Sequence, residues 1–410
     1  MTTLQKRIAV ALSSAALLLN FVAPAAALAA SYSCSVTWNG SDSENECEFE
    51  VENDTTVSQT NTFNADNDVE IDADTGGNDA EDNTGGDVTV ETGDIDADVS
   101  LVNSGNLNSA DVNGSSLGDF DAEISNNGTG TDNEVEYEVE NDVDLTQTNT
   151  ANADNWVDVD ADTGDNDAED NTGGSVTIET GDVEINDGVA ISNTFNVNSA
   201  RVGGSSEDAD LSASILWNGS DSDNEVEFEI ENDVDVMQTN DFDADNDVEI
   251  DADTGDNDAE DNTGGDVLID TGDVDVDVTV DNMANFNSAD VPDALMGLDE
   301  VDLVIDNNGT GSDNEIELEF EDDVDVTQDN DFQNEGEAAD VEIDADTGDN
   351  DAEDNTGGDT EVTTGGFESD VSVENSGNAN VFNGDVDLEL DVDFEALMEL
   401  LSELAELLGL

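Results

Sequence analysis

The sequence predicts an all-β protein, an elongated β-solenoid-like repeat array, and three observations lead there. The block Asn-Asp-Ala-Glu-Asp-Asn-Thr-Gly-Gly occurs unchanged from Asn78, Asn166, Asn257 and Asn350, each time behind an unchanged Asp-Ala-Asp-Thr-Gly. Between the blocks, apolar and acidic residues alternate with period two, the pattern of strands with one buried face. In the third unit Val226, Phe228 and Ile230 alternate with Glu227 and Glu229, and Val274, Val276, Val278 and Val280 alternate with Asp275, Asp277 and Thr279. Finally, Thr-Gly signals at Thr254, Thr263 and Thr271 punctuate that unit at short, even spacing, as turns between short strands do.

Asn-Gly turns at Asn39, Asn127, Asn218 and Asn308 phase the repeat at about ninety residues. The expected organisation is a leader over 1–30, repeat units over 31–117, 118–206, 207–296 and 297–390, and a C-terminal helix over 391–410. Within the third unit the expected strands are Glu225 to Glu231, Val234 to Val236, Val248 to Asp253, Val267 to Ile269 and Val274 to Val280. Two architectures fit. One is a solenoid with several rungs of about twenty residues per unit, a rod on the order of 90 Å long at ~4.8 Å per rung. The other is a string of β-sandwich modules. Small inward residues and few aromatics favour the solenoid, and stacked Asn suits its corners.

The final segment changes period. Phe394, Leu397, Leu401, Leu404 and Leu408 recur at alternating spacings of three and four, the stripe of a short amphipathic helix that caps the stack or associates with a partner. Seventeen residues bearing four Glu do not span a membrane.

At the other end, Lys6 and Arg7 precede a largely apolar run from Ile8 to Val22, and Ala27-Leu28-Ala29 offers a cleavage site. This is the layout of a secretory signal, and it predicts a secreted or cell-surface protein. In such a compartment Cys34 and Cys47, flanking the Asn39-Gly40 turn, are expected to form a disulfide across a hairpin, worth about 2–3 kcal/mol for so short a loop.

Charge narrows the partners. The chain carries 111 Asp and Glu against three Lys and Arg and no His, a formal net charge of −108. Nucleic acid is excluded, because phosphate recognition needs basic side chains, and anionic membranes repel such a surface. Without His, and with Lys confined to the leader, a Ser-His-Asp arrangement is impossible and zinc, copper and iron lack their softer ligands; the chain does not read as an enzyme. Hard cations are the partners such a surface attracts. Calcium takes six to eight oxygens, and the acidic block sets carboxylates and amides at near-alternate positions around a Gly. The candidate ligands are Asp72, Asp74, Asp79 and Asp82 in the first unit and Asp160, Asp162, Asp167 and Asp170 in the second. Asp251, Asp253, Asp258 and Asp261 follow in the third, and Asp344, Asp346, Asp351 and Asp354 in the fourth. The alternative is adaptation to brine, in which concentrated salt screens the acids without specific sites.

The segments from Thr75, Thr163, Thr254 and Thr347 resemble the Thr-Gly-x-Asn-x-Ala-x-x-Asn-Thr-Gly-Gly repeats of uncharacterised bacterial cell-surface proteins. The resemblance covers about twenty residues per unit and implies an exported, β-rich, repetitive protein. No activity comes with it. The expectations are therefore a structural protein of the cell surface or of an extracellular filament, with self-association, or a calcium-dependent adhesin binding an extracellular protein or glycan. The adhesin's variable loops would be Val202 to Ala209 and Val291 to Asp299; a cation-buffering protein is a third expectation.

Overall fold

The computed structural model describes residues 6–22, 31–112, 119–203, 209–291, 298–333 and 339–382. The C-terminal stripe, the cleavage site and most of both variable loops lie outside the described residues. Among the described residues there are strands and no helix.

Each unit winds once. In the first, β2 (Tyr32–Thr37) turns into β3 (Glu44–Asp74), a strand of 31 residues. The acidic block follows, then β4 (Val88–Glu91) and the returning strand β5 (Ile95–Val112). The second unit repeats this with β6 (Phe120–Ser125), β7 (Asp132–Asp162), β8 (Val176–Glu179) and β9 (Val183–Val202). The third has β10 (Ala209–Leu216), β11 (Asp223–Asp253), β12 (Val267–Asp270) and β13 (Val274–Asp290). In the fourth, β14 (Leu298–Asp306) precedes β15 (Asp313–Gln333) and β16 (Asp340–Asp346), which divide the long strand's place, and β17 (Thr360–Thr363) and β18 (Phe367–Phe382) close the turn. Equivalent strands pair in parallel from unit to unit, in the sheet orders β2-β6-β10-β14, β3-β7-β11-β15 and β4-β8-β12-β17. The β5-β9-β13-β18 sheet has one more member, β1 (Lys6–Val22), on its first edge.

The solenoid is therefore built differently from the rod expected. One unit makes one rung, so four rungs give a stack only ~19 Å deep, while each long strand extends ~100 Å at ~3.3 Å per residue. The sandwich-string alternative fails, because every strand's hydrogen-bonded partners belong to neighbouring units. The expected division of the long strand also fails. Glu225–Glu231, Val234–Val236 and Val248–Asp253 are pieces of one strand, since the alternation runs on through inward-facing Gln238, Asn240 and Asn246. Nor do the Asn-Gly turns make hairpins. They join β2 to β3 across the core, from one sheet to the facing one.

The β2 and β5 sheets lie against successive stretches of the long-strand sheet. Near the Asn-Gly turns, Phe120, Ile124 and Leu211 meet Tyr137, Val139, Phe228 and Ile230. At the far end, Ile71, Val159 and Ile250 meet Ile95, Leu101, Ile191 and Val280. Phe63, Phe195, Phe242 and Phe332 step between the layers at centroid distances of 4.9, 5.4 and 5.2 Å. Each buried Val, Ile, Leu or Phe is worth about 1.5–3 kcal/mol. The Sγ atoms of Cys34 and Cys47 are bonded, joining the two layers of the first rung across this core rather than across a hairpin.

Part of the interior is polar. Asn61, Asn108, Asn149, Asn198, Asn240, Asn287, Asn330 and Asn380 zigzag between the layers, each amide donating to the next side-chain oxygen at 2.7–2.9 Å. These amides also stack rung on rung, Asn108 on Asn198 and Asn198 on Asn287, both at 2.9 Å. The ladders thus run through strand interiors, not only at corners, and burial costs little because the amides are partnered.

At the entry to the acidic block the rungs touch through backbone. A Cβ on Gly164 would lie 2.0 Å from the Gly255 carbonyl oxygen, and one on Gly76 equally close to that of Gly164. Gly164→Ala should lower unfolding stability by about 1–3 kcal/mol, since backbone and not a movable side chain must yield; denaturant titration measures it. Asn198→Leu should cost ~3 kcal/mol or more by leaving the amides of Asn108 and Asn149 and the oxygens of Asn240 and Asn287 short of partners. A loss below about 1 kcal/mol in the same titration would contradict a cooperative ladder.

Candidate functional site

The acidic block forms a lobe at the end of each rung, closed by one recurring bond. Thr75, Thr163, Thr254 and Thr347 donate through Oγ1 to the carbonyls of Gly93, Gly181, Gly272 and Gly365, at 2.9–3.1 Å. Asn78, Asn166, Asn257 and Asn350 stack through their amides at 2.8 Å, and the backbones at Asp79, Asp167, Asp258 and Asp351 form parallel bridges. The lobes consequently sit in register, and each carboxylate meets its own repeat equivalent.

The predicted ligands separate into four columns. Asp72, Asp160, Asp251 and Asp344 project from the outer face of the long-strand sheet. In the column of Asp74, Asp162, Asp253 and Asp346, the carboxylates of the last three accept the backbone N–H of the glycine two residues on, Gly164, Gly255 and Gly348. Asp82, Asp170, Asp261 and Asp354 have positive φ and form the bend of the lobe. Among the described residues, the predicted ligands that lie where carboxylates converge are Asp167, Asp258 and Asp351, in the column that Asp79 begins.

Its partners are glutamates that the sequence reading did not select. Glu81 gathers with Asp167 and Glu169, Glu169 with Asp258 and Glu260, and Glu260 with Asp351 and Glu353, each group with ligand oxygens within 4.8 Å of one another. The groups lie between rungs, each built from two units. The signal for the glutamates was present: Asp79 and Glu81 flank Ala80, and strand-like alternation sends both to the same side.

Oδ1 of Asp167 and Oδ1 of Asp258 are enclosed and accept no hydrogen bond. A buried carboxylate oxygen without a donor is costly, and a cation is one remedy. Three carboxylates per group supply up to six hard oxygens and no nitrogen or sulfur, a donor set suited to calcium or magnesium and not to zinc.

The crowding of carboxylates also shifts their protonation. The carboxyls of Glu81, Glu169 and Glu260 are raised above the usual range, chiefly by the charges of Asp79, Asp167 and Asp258 beside them. Those of Asp167 and Asp258 are raised first by burial and then by the stacked aspartates. Asp162 and Asp253 are pushed up to about 6 by burial, against the opposing hydrogen bond from the glycine N–H. The outer face behaves likewise: Glu136 and Glu227 are raised by burial and by neighbouring glutamates on the same and adjacent strands.

Compared with models of protein families, with curated proteins and with solved structures, the chain matches none.

All these shifts are upward, so protonation favours the folded state. For Asp162 and Asp253 the contribution is fully present below the unfolded value near 3.8 and is lost as pH rises through about 6. In dilute buffer without divalent cations, the melting temperature should therefore be higher at pH 4 than at pH 7. Asp162→Asn with Asp253→Asn should flatten that profile. Ordinary acid destabilisation would refute the electrostatic account.

Proposed function

We propose that this chain is an exported structural repeat protein of the cell surface or of an extracellular filament, held together by hard cations. The observation that carries the reading is the set of inter-rung carboxylate groups, with Asp167 and Asp258 oxygens enclosed and unpartnered. A cation there bridges successive rungs, so binding it favours the stacked state over the unfolded chain. Calcium suits the donor set and the partly solvated position, where water completes the coordination. The leader-like sequence over 1–30 supports export, and the repeat supports a structural role over a single reaction centre.

A second reading, brine adaptation, has its own support. The columns of Glu48, Glu136, Glu227 and Glu317 and of Glu50, Glu138, Glu229 and Glu319 stack in register on the outer face of β3, β7, β11 and β15, apart from the lobes. Each stacked pair at ~4.8 Å costs roughly 0.9 kcal/mol even at the dielectric of water. Diffuse counterions relieve such columns without a defined site.

Thermal unfolding in calcium against sodium chloride of equal ionic strength separates the two. Specific sites predict a rise of several degrees with calcium beyond that with sodium, as ~2.7 kcal/mol per site at a hundredfold excess over Kd implies. Glu169→Gln with Glu260→Gln should raise the melting temperature without calcium, by relieving repulsion, and shrink the gain on adding it. Equal curves in the two salts leave brine adaptation standing and remove the calcium sites.

A further inference from the structure

Among the described residues the rung-four end of the stack carries no further strand, and at the rung-one end only β5 does, where β1 pairs with it. On rung four, side chains whose equivalents are sealed inside stand in solvent: Ile305 is 47% exposed against 0% for Ile215, and Phe367 is 50% exposed against 1% for Val274. Val371 and Val373 are exposed above buried Val278 and Val280. The Val274 N–H donates to the Gly366 carbonyl. Alternation along a strand therefore turns the N–H groups of Phe367, Ser369, Val371 and Val373 toward the open side. A long edge of this kind is a template for another strand.

The asparagine columns are directional. Nδ2 of each rung donates to Oδ1 of the next, from Asn45 to Asn133, Asn224 and Asn314, and from Asn103 to Asn193, Asn282 and Asn375. In these asparagine columns rung four ends in a donor and rung one in an acceptor, while the glutamine column of Gln59, Gln147, Gln238 and Gln328 runs the opposite way, each amide donating to the rung before. In a third asparagine column Asn106, Asn196, Asn285 and Asn378 follow the order of the first two at 2.9, 2.9 and 3.1 Å. Its first member, Asn106, is 0% exposed, and its Oδ1 has no hydrogen-bond partner. The donor that each later member receives from the rung before is the one it lacks.

The rung-one edge of β5 already accepts an added strand. β1 pairs with it in parallel from Lys6 opposite Ile95 to Val22 opposite Ala110, with a register shift between Ala16 and Leu19, the level of Asn106. The sequence there, Ala16-Leu17-Leu18-Leu19, contains no amide side chain. β1 is also the apolar segment of the leader.

We propose that, once the leader is removed, copies of this chain stack head to tail, β18 of one taking the place of β1 on β5 of the next. β15 then continues onto β3, and the Asn378 amide of one copy donates to Asn106 of its neighbour. The proposal rests on the exported filament reading above and specifies its interface. Because the contact joins different surfaces by translation, it does not close and yields a filament, each copy adding four rungs or ~19 Å. The junction places Glu353 of one copy beside Asp79 and Glu81 of the next, repeating the carboxylate group found between rungs. On the cation reading, assembly therefore draws on the same ions as the stacking of the rungs.

The test uses the exported chain, beginning after Ala29, in calcium-containing buffer and in ~1 M salt, followed by electron microscopy, sedimentation and fibre diffraction. The expected result is unbranched filaments with a ~4.8 Å reflection along the axis. Val371→Pro with Val373→Pro removes only N–H groups turned to the open side, and it should keep the circular dichroism and melting curve while abolishing filaments. Chain that retains β1 should stop growth when added in small proportion. A folded wild-type monomer in both buffers overturns the proposal and leaves the cation reading intact. So do filaments unaffected by the two prolines. Filaments that form only when the C-terminal stripe is broken by Leu401→Glu and Leu404→Glu would assign that edge to the chain's own terminus and equally overturn it. A chain unfolded in both buffers sinks the functional reading as well.

Discussion

Parallel, in-register pairing of one rung on the next is the constraint from which the other features follow. Along the paired strands it places a residue ~4.8 Å from its own repeat equivalent, so most positions are judged by how they stack on themselves. Val on Val and Ile on Val build continuous apolar columns. Asn on Asn satisfies donor and acceptor together, which is why Asn198 and its neighbours are tolerated at full burial. Gly164 under Gly255 lets backbones approach where no Cβ fits.

Asp and Glu are the residues that stack badly, and the chain is full of them. On the outer face the repulsion is diluted by water and mobile ions. In the lobes it is concentrated, because Asp167 and Asp258 each hold an oxygen away from any donor while Glu169 and Glu260 approach from the same side. The carboxyls there are displaced upward by burial and by one another's charge, the direction such crowding imposes; a cation bound among them would relieve it without protonation. Hydrogen bonding along the stack and charge along the same axis thus oppose each other, and the ionic surroundings decide the balance.

Much of this is legible in the sequence. Val226, Phe228 and Ile230 against Glu227 and Glu229 announced a half-buried strand, and the recurring block announced equivalent units. The Thr254-Gly255 and Thr263-Gly264-Gly265 signals do mark the lobe. Less legible was the length of the long strand, because Gln238, Asn240 and Asn246 read as breaks in an apolar pattern. Only against Gln147, Asn149 and Asn155 of the neighbouring rung, or the facing Asn287, are they core residues. The Asn39-Gly40 signal is ambiguous for a related reason: a turn between facing sheets and a hairpin turn share their letters and differ in where the strands find partners.

The sequence by itself determined the strand pattern, the repeat length, the excess of carboxylates and the restriction of ligands to hard oxygen donors, since these depend on composition and local periodicity. The tertiary structure decided how many rungs a unit makes and which carboxylates meet. It also decided which strand edges remain unpaired among the described residues. Pairing between residues about ninety positions apart sets all three, and a one-dimensional pattern carries no term for whether a strand finds its partner within its own unit or in the next.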